Sequence, residues 1–342
     1  ARINVRTRVA SAEQRDGLWC VTLEDRDTGA RREVTAKMLV NAGGPWVEDI
    51  IRNTVRINAS EGVRLVRGSH IVTHKLYDHD KCYFFQGEDG RIIFTIPYET
   101  DFTLIGTTDA EHEALGDKPV CTPAEQAYLL DFASQYFAKP VTAEDVVWTY
   151  SGVRPLYDDG ASSATAATRD YVLKVDQSAG APILNVFGGK ITTYRKLAES
   201  ALQKIAPFFE GAEAPWTAGV PLPGGDFAVD GVEALTLRLE MHYAFLTPRW
   251  AARLIKAYGT EAFDVLGDAR SRDDLGQDFG ADLTAREVDW LRAREFARSA
   301  EDIVWRRSKL GLRLSTDQIT AIDSWLAEAP DAPALKSAGR AG

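Results

Sequence analysis

Residues 186–199 read VFGGKITTYRKLAE, and the fold turns on how this stretch is parsed. Val186 and Phe187 close an apolar run, PILNVF, with the length and composition of a buried strand. From Tyr194 the apolar positions fall at Tyr194, Leu197, Ala198, Leu202 and Ile205, which is helical spacing. Gly188-Gly189-Lys190 is therefore a strand-to-helix turn. A helix start offers unpaired N–H groups and the positive end of a dipole, and glycines let a ligand come close to both. A tight turn carrying a surface lysine satisfies the same letters. What else in the chain addresses an anion has to decide.

The stretch MLVNAGGPWVEDII, residues 38–51, repeats the architecture. Met38 to Val40 make a strand, Gly43-Gly44 the turn, and Pro45 suits the first position of a helix. Alternating or continuous apolar runs predict further strands at 2–9, LWCVTLED, EVTAK, VRLV, SHIVTH, CYFFQ, RIIFTIPY, TLIGTTD, DVVWTYSG and DYVLKV. Thr122 and Glu125 around Pro123 form a capping box that opens a helix over 122–138. GAEAPWTAGVPLPGGD, residues 211–226, reads as a linker. Beyond it, Thr247-Pro248 with Gly259, Thr284 with Glu287, Ser299 with Asp302 and Ser315 with Gln318 bracket or open helices. WRRSKLGLRL, residues 305–314, is basic and amphipathic enough for a membrane-surface or partner contact, and a solvated helix face carrying a buried Trp305 is the favoured reading. The expected organisation is a mixed α/β domain over 1–210, a linker over 211–226 and an all-helical domain over 227–342. ARINVRTRV at the start alternates as though already inside a strand and lacks a Met, so the chain reads as the C-terminal part of something longer.

With 342 residues, 45% hydrophobic and 26% charged, the chain has the makeup of a two-domain soluble globular protein. A formal net charge of -10 argues against a general nucleic-acid binder. Cys20, Cys82 and Cys121 are odd in number and widely spaced, and five scattered histidines lack ligand spacing, so neither a disulfide framework nor a metal site is expected. No apolar run approaches bilayer-spanning length.

Two strand-glycine-helix turns flanking a strand-rich region point to a nucleotide cofactor beside a substrate domain. G-x-G-x-x-G is nevertheless absent, and Ile191 after Lys190 rules out a Walker loop. Arg154, in YSGVRPLYDD, precedes Pro155, which imposes an extended or turning backbone. A guanidinium held there suits bidentate capture of phosphate or carboxylate, and pairing with Asp158 or Asp159 is the plainer alternative. His70, on a strand after Gly68, has the pKa range of a general base, and equally that of a structural strand residue. Asp109 after GTT reads as a polar contact or as a turn cap.

LVNAGGPWV, RLVRGSHIV, IGTTD, VWTYSGVRPL, TRDYVL, VFGGKITTYRKLAE, PLPGG and DLGQDFG, in this order, make the chain from residue 1 to about 328 resemble the FAD-dependent glycerol-3-phosphate dehydrogenases. These belong to the D-amino-acid-oxidase-like flavoproteins. The resemblance implies an α/β fold, an α+β substrate domain with part of a Rossmann-like FAD domain, plus the C-terminal helical domain. It implies FAD as cofactor and oxidation of sn-glycerol 3-phosphate to dihydroxyacetone phosphate, with electrons passed to a membrane quinone. It places His70 and Arg154 in catalysis, and Arg154, Lys190 and His70 at the substrate. It places Val9, Ala42, Gly43, Gly44, Trp46, Ser69, Gly188, Gly189, Lys190, Ile191 and Thr192 along the cofactor. A cytoplasmic protein peripheral to the inner face of the cell membrane follows, and a homodimer is compatible. Gly43 stands where the family usually has Thr, which loses a hydroxyl and keeps the turn. The family's N-terminal segment with its G-x-G-x-x-G turn is not in this sequence, so the chain alone is expected to be inactive. An oxygen-dependent glycerophosphate oxidase, a non-catalytic phosphate-binding module lacking the flavin half, and an amine oxidase of the same superfamily are the alternatives. Lys190 together with Arg154 argues against the last.

Overall fold

Asp16 and Gly17 both adopt positive φ, 51° and 77°, the geometry of a two-residue hairpin turn. They join β1 (Thr7–Arg15) to β2 (Leu18–Asp25), and β3 (Arg31–Ala36) completes an antiparallel meander. The first strand begins at Thr7, not at residue 2 as the alternation predicted. Arg6 turns at φ 55° and its side chain bonds Asp27, so the residues before it leave the ladder. The computed structural model describes residues 1–58, 61–87, 90–112, 115–116, 118–158, 170–178, 180–211 and 213–328. Asp159 and Thr168-Arg169 of the TRDYVL segment lie outside them.

The elements that follow are β4 (Leu39–Asn41), a helical segment over 44–55 that includes α1 (Val47–Asp49), β5 (Val63–His74), β6 (Tyr83–Gln86) and β7 (Ile92–Tyr98). Then come β8 (Phe102–Gly106), β9 (Ala110–Glu111), α2 (Pro123–Ser134), β10 (Val146–Tyr157), β11 (Val172–Asp176), β12 (Ile183–Phe187) and α3 (Tyr194–Ile205). VRLV and SHIVTH, predicted as two strands, are one, because Gly68 is accommodated without a break in pairing. DVVWTYSG likewise continues through VRPLY. Pro155 sits inside β10, which is tolerated because β10 is the edge of its sheet. The predicted helix over 122–138 ends at Ser134, and its capping box is formed, with Thr122 Oγ1 accepting from the Glu125 N–H.

Two further sheets carry the first compact unit, Ala1–Thr217. The larger has the order β10-β5-β8-β7-β6, antiparallel throughout, with β9 paired to β5. Its back face buries Ile71, Ile93 and Ile105 against Leu129, Phe132 and Ala133 of α2. On its front face Phe94 and Phe84 remain exposed. The smaller sheet has the order β11-β12-β4, with β12 and β4 parallel. Trp19 and Val21 of the meander pack with Val55 and Ile183.

The second unit, Ala218–Gly342, is described by itself. The split falls within the stretch 211–226. It contains α4 (Val232–His242), α5 (Pro248–Tyr258), α6 (Ala262–Leu266), the short pair β13 (Asp278–Gly280) and β14 (Leu283–Thr284), α7 (Ala285–Glu295) and α8 (Thr316–Glu328). Trp250, Leu254, Val288, Leu291 and Ile303 are buried in its core. Glu287, expected beside a cap, instead accepts from Arg253 Nη1 and Nη2, both at 2.7 Å, and from the Tyr258 hydroxyl at 2.8 Å. Trp305 is partly buried against the core, while Arg306 pairs with Glu301 and Asp302. Among the described residues no helix is long and apolar enough to cross a membrane, and no acidic, His or Cys cluster fits a metal.

Candidate active site

The ladder registers put one row of residues on the front face of the larger sheet: Tyr150 on β10, His70 on β5, Gly106 on β8, Phe94 on β7 and Phe84 on β6. The His70 ring stacks on Tyr150, with centroids 4.7 Å apart and planes 3° from parallel. On its other side a glycine is required. A Cβ on Gly106 would stand 2.2 Å from His70 Cδ2. His70 Nδ1 is enclosed and has no partner among the described residues. Burial, reinforced by the positive charge of Arg154, lowers the His70 pKa to about 4, so the ring is neutral at physiological pH.

Two residues along β5 on the same face, Gly68 lies beneath the guanidinium of Arg154. A Cβ there would come within 2.5 Å of Arg154 Nη2 and 2.7 Å of Thr107 Oγ1. Arg154 donates from Nη2 to Thr107 Oγ1 at 2.9 Å and from Nη1 to Asp109 Oδ1 at 2.5 Å. Its carboxylate is thus Asp109, which follows β8, and not the neighbouring Asp158; Asp159 lies outside the described residues. Chain neighbours of a strand arginine point along the strand or to its other face. The turn after β8, by contrast, arrives directly beside it. The guanidinium is half-exposed, so its fork is fixed in direction and still reachable.

Gly188 and Gly189 follow β12 at φ 65° and 97°, conformations that only glycine adopts without strain. Gly188 packs against the strand bearing Arg154: a Cβ there would lie 3.2 Å from the Asp170 carbonyl oxygen and 3.5 Å from that of Pro155. Lys190, two residues further on, is exposed. Ile191 is 85% exposed and Thr192 is exposed, both in the helical turn leading into α3. Ser69 is different. Its hydroxyl faces the back of the sheet, fully buried, donating to Glu125 and touching Ser151.

The other glycine turn borders a cleft of about 910 Å³ lined by Val9, Val40, Ala42, Gly43 and Trp46, with Arg8 and Arg26 at the wall. Gly44 turns at φ 56° with open space where a Cβ would project. At Gly43 the space is filled: a Cβ would meet Ile50 Cδ1 at 2.4 Å, so in this chain isoleucine occupies what a larger residue would need. Apolar walls, glycine turns open to close approach and arginine at the rim fit an adenine dinucleotide.

What ties the two turns together was not read from the sequence. Asn41 and Asn185 are opposite each other in the parallel ladder, both buried, with Asn41 Nδ2 donating to Asn185 Oδ1 at 3.0 Å. Asn41 also donates to the Val47 carbonyl at 2.9 Å and accepts from the Gly43 N–H at 3.3 Å. Its signal is the Asn near the end of both strand runs, LVN and ILNVF, each just before a glycine pair. Gly68, Gly106, Thr107 and Tyr150 were missed too, and only the pairing register exposes them.

A family model described as FAD dependent oxidoreductase matches residues 1–195, and one described as the C-terminal domain of alpha-glycerophosphate oxidase matches residues 215–328. The chain is 44% identical over 340 residues to the glycerol-3-phosphate dehydrogenase of Pseudomonas aeruginosa, covering 99% of this chain and 66% of that protein. It is 42% identical to the aerobic glycerol-3-phosphate dehydrogenase of Escherichia coli, covering 94% and 64%, and 41% identical to the D-erythritol 1-phosphate dehydrogenase of Brucella abortus, covering 95% and 65%. The chain thus spans just under two thirds of these curated relatives. Among solved structures, the glycerol-3-phosphate dehydrogenase from Bacillus halodurans complexed with FAD superposes with a TM-score of 0.74 at 25% identity, over 94% of this chain and 67% of that one.

Proposed function

The chain belongs to the FAD-dependent oxidoreductase family, and from that premise we propose that the protein oxidises sn-glycerol 3-phosphate to dihydroxyacetone phosphate with FAD, passing electrons on to a membrane quinone. The observation that carries this reading is the front face of the β10-β5 pair. A neutral His70 stands there two residues from a glycine that seats Arg154, and the Gly188 turn that precedes Lys190 packs against Pro155 of the same strand. The names of the relatives support the substrate class.

FAD, when bound along the Val9–Trp46 cleft and the 188–192 turn, supplies the hydride acceptor. Every other role falls to this chain. Lys190 and the Arg154 fork bind the phosphomonoester and hold the carbon skeleton in one orientation. The C2 hydroxyl then gives its proton to His70. Nδ1 is enclosed, so Nε2 is the nitrogen offered to it. Arg154 stabilises the negative charge that develops on the C2 oxygen as the proton leaves. Asp109 and Thr107 keep the fork aimed while this happens. Residues Val9, Ala42, Gly43, Gly44, Trp46, Gly188, Gly189, Ile191 and Thr192 are assigned to the cofactor; Ser69, whose hydroxyl donates to Glu125 and whose N–H donates to Thr108, supports the face from behind. The protein sits on the cytoplasmic face of the membrane as a peripheral protein.

The test, on the whole protein, is a visible absorbance spectrum after incubation with FAD and removal of free flavin, followed by anaerobic addition of sn-glycerol 3-phosphate. Retained flavin bands that bleach on addition, and recover with a soluble quinone faster than with oxygen, are the expected result. Flavin that stays oxidised in excess substrate overturns the reading, and recovery by oxygen alone identifies an oxidase instead. D-erythritol 1-phosphate in parallel reports whether a longer polyol phosphate is preferred.

A further inference from the structure

The front of the site is built on residues whose immediate neighbours are all held from behind by one carboxylate. Glu125, in the first turn of α2, receives six hydrogen bonds from four residues. Oε1 accepts from Arg67 Nε at 3.3 Å, Ser69 Oγ at 2.9 Å and Thr108 Oγ1 at 3.0 Å. Oε2 accepts from Arg67 Nη2 at 3.1 Å, the Thr122 N–H at 3.0 Å and Thr122 Oγ1 at 2.8 Å. A helix cap needs only the last two. The others come from β5 and from the turn after β8.

Strand alternation makes the placement specific. Arg67 and Ser69 point to the back of β5, and Gly68 and His70, between and after them, point to the front. The Thr108 side chain points to the back, while the side chains of its neighbours Thr107 and Asp109, with the Thr108 carbonyl at 3.5 Å, hold Arg154. Thr108 is also a relay: its hydroxyl accepts from the Ser69 N–H at 2.9 Å and donates to Glu125. Ser69 Oγ spends its proton on Glu125, so Ser151 Oγ, 2.8 Å away, donates to Ser69 and ties in β10. Ser69 and Thr108 are 0% and 4% exposed, so water does not replace these bonds.

We propose that Glu125 is a positioning residue for the substrate-binding arginine: through Thr108 it fixes the 107–109 turn, and through that turn the aim of the Arg154 guanidinium. The inference rests on the assignment of Arg154 to the phosphate ester. Glu125→Gln keeps the side chain's size but turns one acceptor into a donor that faces donors already present. Thr108→Val removes only the relay and covers the case in which Glu125→Gln fails to fold.

The measurements are KM and kcat for sn-glycerol 3-phosphate on the FAD-loaded protein, together with the Arg154 Nε–Hε NMR resonance. The expected result is a kcat/KM lowered about ten-fold or more in both variants, with KM raised and kcat reduced, since both phosphate binding and stabilisation of the C2 oxygen depend on the aim of the fork. The Arg154 resonance should shift or broaden in both, and the flavin spectrum should stay unchanged. An Arg154 resonance identical to wild type in both variants overturns the proposal, whatever the activity. Wild-type whole protein that holds FAD and shows no turnover sinks the substrate assignment instead, and the resonance still decides the role of Glu125.

Discussion

Gly106→Ala isolates the room that His70 needs, because Gly106 does not use a conformation reserved for glycine. The new Cβ would stand 2.2 Å from His70 Cδ2, 2.8 Å from Cγ and 2.9 Å from Nε2. Carbon atoms rest at about 3.5–4.0 Å, so the ring must withdraw by at least ~1.3 Å. It withdraws towards Tyr150, which already stacks on it at 4.7 Å, so the pair tilts or the imidazole leaves its rotamer. Overpacking of this kind costs about 1–3 kcal/mol of stability, which a domain of this size survives. A reacting group displaced by about 1 Å loses on the order of 10²-fold in rate. The assay is anaerobic stopped-flow bleaching of the bound flavin by sn-glycerol 3-phosphate in wild type, Gly106→Ala, His70→Asn and the double variant. The alanine should slow bleaching about a hundred-fold alone and add little once His70 is gone, the sign that both act on one group. A single alanine variant that bleaches at the wild-type rate refutes the argument.

Arg154→Lys keeps the charge and loses the fork, leaving Thr107 and Asp109 unevenly partnered; KM for the phosphate ester should rise about ten-fold or more, with the flavin spectrum unchanged. NMR titration of His70 should give a midpoint near 4, and Arg154→Gln should move it up part of the way towards the ordinary value because a like charge is removed while burial remains. The sign for stability follows: the unfolded imidazole takes a proton below about 6.5 and the folded one only below about 4, so stability is lost as pH falls through that window. A titration midpoint at the ordinary histidine value would contradict the enclosure described for the ring. In the helical unit, Glu287→Ala strands a buried Arg253 and the Tyr258 hydroxyl and should cost about 3–5 kcal/mol in urea unfolding, with Arg253→Met in the same chain recovering much of it.

The sequence revealed what local chemistry writes locally. Gly188-Gly189 had to be a turn because both residues sit at positive φ, and the Thr122–Glu125 box announced its helix because a cap is a contact between near neighbours. His70, Arg154 and Lys190 were singled out by residue type and by the turns around them. Their surroundings were not legible. Asp109 is 45 positions from Arg154, and pairing with it depends on where β8 ends, which no periodicity states. Glu125 was read as a cap and nothing more, since its other donors arrive from strands 56 and 58 positions away and from the 107–109 turn. Gly68 and Gly106 look like interruptions in apolar runs until the register shows what each one makes room for.

The amide pair between β4 and β12 has a consequence for the order of assembly. Asn41 leaves the ribosome 144 residues before Asn185, and β4 pairs with nothing else among the described strands. At about 5–20 residues per second, that interval lasts roughly 7–29 s. Throughout it, the strand and the glycine turn after it lack the β12 ladder and the Asn185 amide, so this wall of the cleft is completed only when β12 arrives. A nascent chain arrested before residue 185 should therefore leave the β4 turn more open to proteases than the β1–β2 hairpin, whose partners are local.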